Sequence, residues 1–217
     1  MPAQSPAVEL MKLIAGFQVS QAISAMAELG IADVMKNEVL ASDDIARAVE
    51  CDPPSLYRLL HALASAGLLE EQAEQRFRLT PIGECLRSDS PESRTAWARY
   101  VGRPYVRRSW ESLADCVRRG KSAFELSHQA ILWAWRGERP EETAIFDAAM
   151  SELSRSGGAA IASAHDFSAY KTIVDIGGGQ GGPARRHSFA PSRRSRHPIR
   201  SSACRRQGAG ASVGCEG

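Results

Sequence analysis

No two of the five cysteines, Cys51, Cys85, Cys116, Cys204 and Cys215, form a C-x-x-C pair. So odd and scattered a set argues against a disulfide framework or a zinc site and fits free thiols in a reducing cytoplasm. No metal site is assigned. The N-terminus lacks a basic segment followed by an apolar one. Glu9, Lys12, Gln18 and Glu28 interrupt the only candidate stretch, so neither a signal peptide nor a membrane span is expected. Residues 183–217 contain no leucine and no lysine.

Charge is unevenly placed. Of 27 basic and 25 acidic residues, the last 35 positions hold eight Arg and a single acid, Glu216. Residues 1–182 therefore carry 19 basic and 24 acidic residues, a mildly acidic body. Such a surface does not suit nonspecific binding to nucleic acid. The 217 residues suffice for one large or two small domains with a real core.

Apolar residues from Leu10 to Leu29 cover most of a helix's circumference. A helix apolar nearly all round must be buried, and for an N-terminal arm the expected cover is a second subunit. Gly30 closes it. Ser42 is expected to cap the next helix, with Asp43 and Asp44 in its first turn. Asp52 caps another, with Pro53 at its first position and a core stripe of Leu56, Leu59, Leu60 and Leu63 ending at Gly67. Leu68-Leu69 and Arg76 to Leu79 read as a two-stranded wing, and Thr80-Pro81 starts another helix. Helix, helix and hairpin define a winged helix. As a DNA reader it is thinly equipped, because only Arg58, His61, Arg76 and Arg78 are available for base and phosphate contacts.

Further helices follow. Trp110, Leu113, Cys116 and Val117 form a stripe ended near Gly120, and Ala130 to Trp135 is an apolar run. Pro140 starts a helix with Glu141 and Glu142 in its first turn. Phe146-Asp-Ala-Ala-Met150 places Phe146 and Met150 one turn apart on it. Plain core packing explains such a pair as readily as a binding site does.

Thr172 to Ile176 is β-branched except at Asp175 and runs into Gly177-Gly-Gly-Gln-Gly-Gly182. That is the pattern of a buried parallel strand ending in a tight turn. Glycines at 177, 179 and 181 let a ligand lie against the backbone, and Asp175 falls near the carboxyl end of the strand, where open α/β sheets bind their ligands. A purely structural strand and turn is the alternative. A dinucleotide site would ask for a phosphate-binding helix N-terminus after the glycines and usually for a strand near the start of a domain.

Val174-Asp-Ile-Gly-Gly-Gly-Gln-Gly181 resembles the adenosyl-methionine-binding motif of class I methyltransferases, in the form found in plant-type small-molecule O-methyltransferases and their bacterial relatives. The order of buried helix, winged helix and Leu79-Thr-Pro-Ile-Gly83 is similar to the same family. The resemblance implies a mainly α N-terminal winged-helix dimerisation domain (8–100), then a helical substrate-lining connector (101–170). The start of an α/β Rossmann-like methyltransferase domain follows, with its first strand and glycine loop at 171–182. It implies S-adenosyl-L-methionine held by Asp175, Gly177, Gly178, Gly179 and Gly181. It further implies a small hydroxylated aromatic or polyketide-like acceptor lined by Phe146, Met150 and Trp135, and a homodimer without nucleic-acid or membrane partners. In the family the catalytic His belongs to a His-Asp pair downstream of the glycine motif. His165-Asp166 lies upstream, so no catalytic residue is assigned. The alternatives are a winged-helix DNA-binding regulator and a non-catalytic dimerisation module.

After Gly182 a helix packing on the strand is due, but Arg, Ser, Ala, Gly and Pro supply 26 of the last 35 residues. Such a composition cannot bury enough apolar surface to offset chain entropy, and disorder is predicted for 183–217. The same residues are what a GC-rich gene yields out of frame. Shifted by one nucleotide, the codons for Pro183 to Ser188 admit an amphipathic helix opening. Those for His197 to Cys204 admit an apolar strand ending in an acid. A frameshift near the codons for Gly182 and Pro183 would leave the chain without the rest of the cofactor site.

Overall fold

The computed structural model describes residues 5–166, apart from the side chains of 156–162, and the backbone of 174–175 and 200–201. Helix α1 spans Pro6–Glu28, opened by Pro6 in its first turn, where a missing amide costs nothing. Gly30, at φ 66°, turns the chain out of it. α2 (Ile31–Met35) then leads to strand β1 (Leu40–Ala41) and helix α3 (Ser42–Ala48). Ser42 is not the cap: Ala41 occupies that position, and the Ser42 hydroxyl lies 3.4 Å from the Gln75 amide oxygen. The local signal lost to a long-range partner on the wing.

Helix α4 (Pro53–Ser65) begins as expected, the Asp52 carboxylate accepting from the Ser55 amide at 2.9 Å. Leu56, Leu60 and Leu63 are buried, and Leu59 packs half-buried beside them. Strands β2 (Leu69–Gln72) and β3 (Arg76–Leu79) form an antiparallel wing in the register Leu69↔Leu79 and Glu71↔Phe77. Alternation along β3 sends Phe77 and Leu79 into the core and Arg76 and Arg78 outward. The sheet has a third strand, since β1 pairs with β3 through Leu40↔Phe77. Two residues are too short a run to show as a strand in sequence. Helix α5 (Pro81–Glu84) is capped by Thr80, whose hydroxyl accepts from the Gly83 amide.

Helix α6 (Thr95–Gly102) crosses α1 closely. The Ser24 hydroxyl donates to the Ala98 carbonyl at 2.7 Å, and a Cβ at Gly102 would stand 2.5 Å from the Ser24 Cβ. Only the C-terminal part of α1, with Ser24, Met26 and Ala27, is buried in this way. Leu10, Leu13, Ile14 and Phe17 on its first half are 57–78% exposed. By length and mean hydropathy α1 could cross a membrane. Its last turns, however, are built into the core of the winged-helix unit.

Helices α7 (Pro104–Glu111), α8 (Leu113–Arg119), α9 (Ala123–His128) and α10 (Leu132–Gly137) are short and broken at Ser112, Gly120 and Gln129. The break at Ser112 undoes the expected core stripe. Trp110, Leu113 and Val117 lie exposed, and Cys116 is half-buried. Helix α11 runs from Pro140 to Ala164. The chain divides into two compact units, residues 1–152 and 153–217. In the second unit β4 (Val174–Asp175) pairs in parallel with β5 (Arg200–Ser201). Two residues of the stretch expected to be disordered thus belong to a strand.

Candidate functional site

Aromatic side chains from five helices gather in the first unit. Tyr100 on α6 faces Phe146 on α11 with ring centres 5.5 Å apart, edge to face. Tyr105 on α7 meets Trp135 of α10 at 4.7 Å, tilted, and Phe124 of α9 at 6.2 Å, edge to face. Tyr100 and Tyr105 meet at 6.4 Å and join the two halves. His128 completes the group, its Nε2 lying 3.0 Å from the Tyr105 carbonyl oxygen, which makes that nitrogen the donor. Such edge-to-face and offset contacts add to the area the rings bury.

A cavity of about 300 Å³ opens beside this cluster, lined by Pro104, Tyr105, Arg108, His128, Trp135 and Glu142. Glu142 is held by Arg103, whose Nε and Nη2 donate to its two oxygens at 2.9 and 2.6 Å. That pair raises the Arg103 pKa above its ordinary value, through the hydrogen bond first. Burial raises the Tyr105 phenol, and the neighbouring Arg136 only partly opposes it. Tyr105 is therefore a neutral hydroxyl throughout the physiological range.

The aromatic cluster brings together two of the three expected acceptor-lining residues. Phe146 and Trp135 both belong to it, and Met150 lies half-buried one turn beyond Phe146 on α11. On the cofactor side, Asp175 is the last residue of β4 and pairs with Ser201. Gly177, Gly178, Gly179 and Gly181 lie outside the described residues. The carboxyl end of a parallel strand is where an α/β sheet receives a ligand, so the position of Asp175 fits a cofactor site. His165, at the end of α11, is exposed.

Sequence reasoning missed Arg136. It is 3% exposed, its Nη2 donates to the hydroxyls of Tyr100 (3.1 Å) and Tyr105 (3.3 Å), and its Cζ lies 3.6 Å from the centre of the Phe146 ring. An arginine between Trp135 and Gly137 reads as a surface residue. Only the flanking density of aromatic residues could have signalled otherwise.

The chain matches the O-methyltransferase dimerisation domain over residues 11–89 and the O-methyltransferase domain over residues 110–191. It is 36% identical over 174 residues to the O-demethylpuromycin-O-methyltransferase of Streptomyces alboniger, an alignment taking in 79% of this chain and 46% of that one. Its fold superposes on the crystal structure of LaPhzM with a TM-score of 0.79 at 29% identity, covering 84% of this chain and 55% of the other. Human N-acetylserotonin methyltransferase in complex with SAM gives 0.76 at 27% identity, over 85% and 56%.

The chain belongs to the O-methyltransferase family that carries an N-terminal dimerisation domain. It spans about half the length of the curated relatives it matches. The methyltransferase-domain match starts at residue 110, within the stretch expected to be a connector, and runs past Gly182 to residue 191.

Proposed function

We propose that this chain carries the dimer-forming unit and acceptor wall of an S-adenosyl-methionine-dependent O-methyltransferase. Its acceptors are small hydroxylated molecules of aromatic or polyketide-like kind. The observation that carries the proposal is the placement of Phe146 and Trp135 in one aromatic cluster, inside the region matched to the O-methyltransferase domain. A planar acceptor ring stacks in such a wall as the protein's own rings do. Asp175, Gly177, Gly178, Gly179 and Gly181 would hold the methionine end of the cofactor, which supplies a methyl group on a positively charged sulfur when bound. Phe146, Met150 and Trp135 orient the acceptor and exclude water. Transfer also needs a base within hydrogen-bond reach of the acceptor hydroxyl. No residue of this chain is given that role.

The proposal extends to a cytoplasmic homodimer with neither nucleic acid nor membrane as partner. The exposed apolar half of α1 supports the dimer, at roughly 25 cal/mol per Å² of apolar surface removed from water. The four groups available for DNA contact are engaged within the chain. Arg58 donates to Ser55, His61 meets Glu71 at 2.6 Å, Arg76 donates to the Val39 carbonyl and Arg78 to Glu70.

The tail beyond Gly182 we take to be read out of frame, which predicts no methyl transfer by the chain as it stands. Sequencing the DNA across codons 180–185 and assaying labelled-methyl transfer to a panel of phenols tests both parts. An intact reading frame would remove the frameshift, and turnover by the present chain would remove the predicted inactivity. A chain restored in frame that methylates no phenol would count against the function itself.

A further inference from the structure

Of the five N–H groups of the Arg136 guanidinium, the two on Nη2 serve Tyr100 and Tyr105. Nε and Nη1 are buried and have no hydrogen-bond partner among the described residues. No ion pair reaches Arg136 among the described residues. Glu138 pairs with Arg139 and Glu142 with Arg103. Four rings surround the cation, with Phe146 at 3.6 Å, Trp133 at 5.4 Å, and Tyr100 and Tyr105 at 5.7 Å from Cζ.

Aromatic faces attract a cation, but they do not accept its N–H groups in the way an oxygen does. A buried guanidinium with open donors is therefore incomplete, because a charge taken from water is costly until it is paired and hydrogen-bonded. Arginine remains charged at any physiological pH, so it cannot escape by losing a proton. Of the four rings Trp133 is the exposed one, 66% accessible. Trp133 is thus the ring through which the cluster meets solvent.

We propose that Arg136 is the anion-recognising residue of the acceptor site and selects aromatic acceptors that carry a carboxylate. The proposal rests on the acceptor-wall reading of Phe146 given above. The acceptor ring would lie among Phe146, Trp133 and Tyr100, and its carboxylate oxygens would take the open N–H groups of Nε and Nη1. The contribution is to binding and selection. No bond to the acceptor is made or broken by Arg136.

The test is ligand-detected NMR titration of the full chain with benzoate and with benzamide, which share a ring and differ in charge, without cofactor. A charge-assisted hydrogen bond in a desolvated site predicts benzoate binding about tenfold tighter or more. Arg136→Leu should erase the difference and bind both probes as weakly as the parent binds benzamide. The melting temperature of Arg136→Leu should stay level or rise, because the variant removes an incompletely paired buried charge. Equal affinities in the parent would overturn the proposal, and so would an acid preference that survives in Arg136→Leu. So would a variant melting several degrees lower while the parent shows no preference, which marks a structural cation. If Arg136→Leu does not fold, the parent's preference decides alone. Neither probe has a hydroxyl group, so the outcome is separable from methyl transfer. Acid preference without turnover of phenols by the in-frame chain would sink the function and spare this inference, and turnover without acid preference would do the reverse.

Discussion

Glu152 is 3% exposed on α11, and its two oxygens accept from the amides of Ala96 at 3.2 Å and Trp97 at 2.8 Å. These are free donors of the first turn of α6, whose own preceding residue, Arg94, supplies no side-chain cap. A carboxylate there also meets the positive end of the helix dipole. Glu152→Ala should cost about 2 kcal/mol in urea unfolding, from two part-buried amides left without their acceptor, and Glu152→Gln less. On the wing, the His61 hydrogen bond holds the Glu71 carboxyl below its ordinary value; burial opposes it in part, and the Tyr57 hydrogen bond adds a smaller lowering. A depressed acid stabilises the fold above its unfolded pKa, about 4.3, and that stability is lost as pH falls through the lower folded value. Acid titration of Glu71→Gln should therefore show a shallower loss of stability below pH ~4 than the parent. At this scale the sequence is legible where the chemistry is local. Asp52 and Thr80 cap their helices within three residues and are found where expected. Ser42 and Glu152 find partners 33 and 55 or 56 residues away, which no local pattern carries.

Among the elements, the α1–α6 crossing depends on small residues at one point of contact. The Ser24 side chain occupies the place where a Cβ on residue 102 would go. Gly102→Ala should destabilise by about 1–3 kcal/mol through overpacking. Ser24→Gly costs on its own through helix entropy and the lost 2.7 Å bond to Ala98, yet the double variant should cost less than the sum. A denaturant double-mutant cycle reads the difference, and strict additivity would mean that the two helices shift apart. The helices of the winged-helix unit were legible because their leucine periodicity is strong and their ends are marked by Asp52, Pro53, Gly30 and Gly67. Those of residues 104–137 were legible only in part. Trp110, Leu113, Cys116 and Val117 fit one amphipathic helix on paper, but the break at Ser112 rotates the second half away. The aromatic wall was half read, through Phe146 on the long, continuous α11 and Trp135 in the apolar run of α10. Tyr100, Tyr105 and Phe124 reach it from three other helices, and the chain order does not announce that convergence.

For the whole molecule, the exposed apolar half of α1 and the match to a dimerisation domain both bear on assembly. Leu13→Asp combined with Phe17→Asp should convert a dimer to a monomer by sedimentation at micromolar concentration. The urea midpoint at matched concentration should fall as well, since a partner that binds only the folded state stabilises it. A dimer that survives both charges would place the contact elsewhere. The central proposal is that Asp175 and the glycines after it form the cofactor site and that the residues after Gly182 are read out of frame. Parallel strands are stable only with both faces covered. The most direct measurement is calorimetric titration with S-adenosyl-homocysteine of three proteins: the present chain, the chain continued in frame after Gly182, and that restored chain with Gly179→Arg. The account predicts heat of binding only for the second, because an arginine at 179 fills the space the ligand needs. Tight binding by the present chain, or by the Gly179→Arg protein, would contradict it.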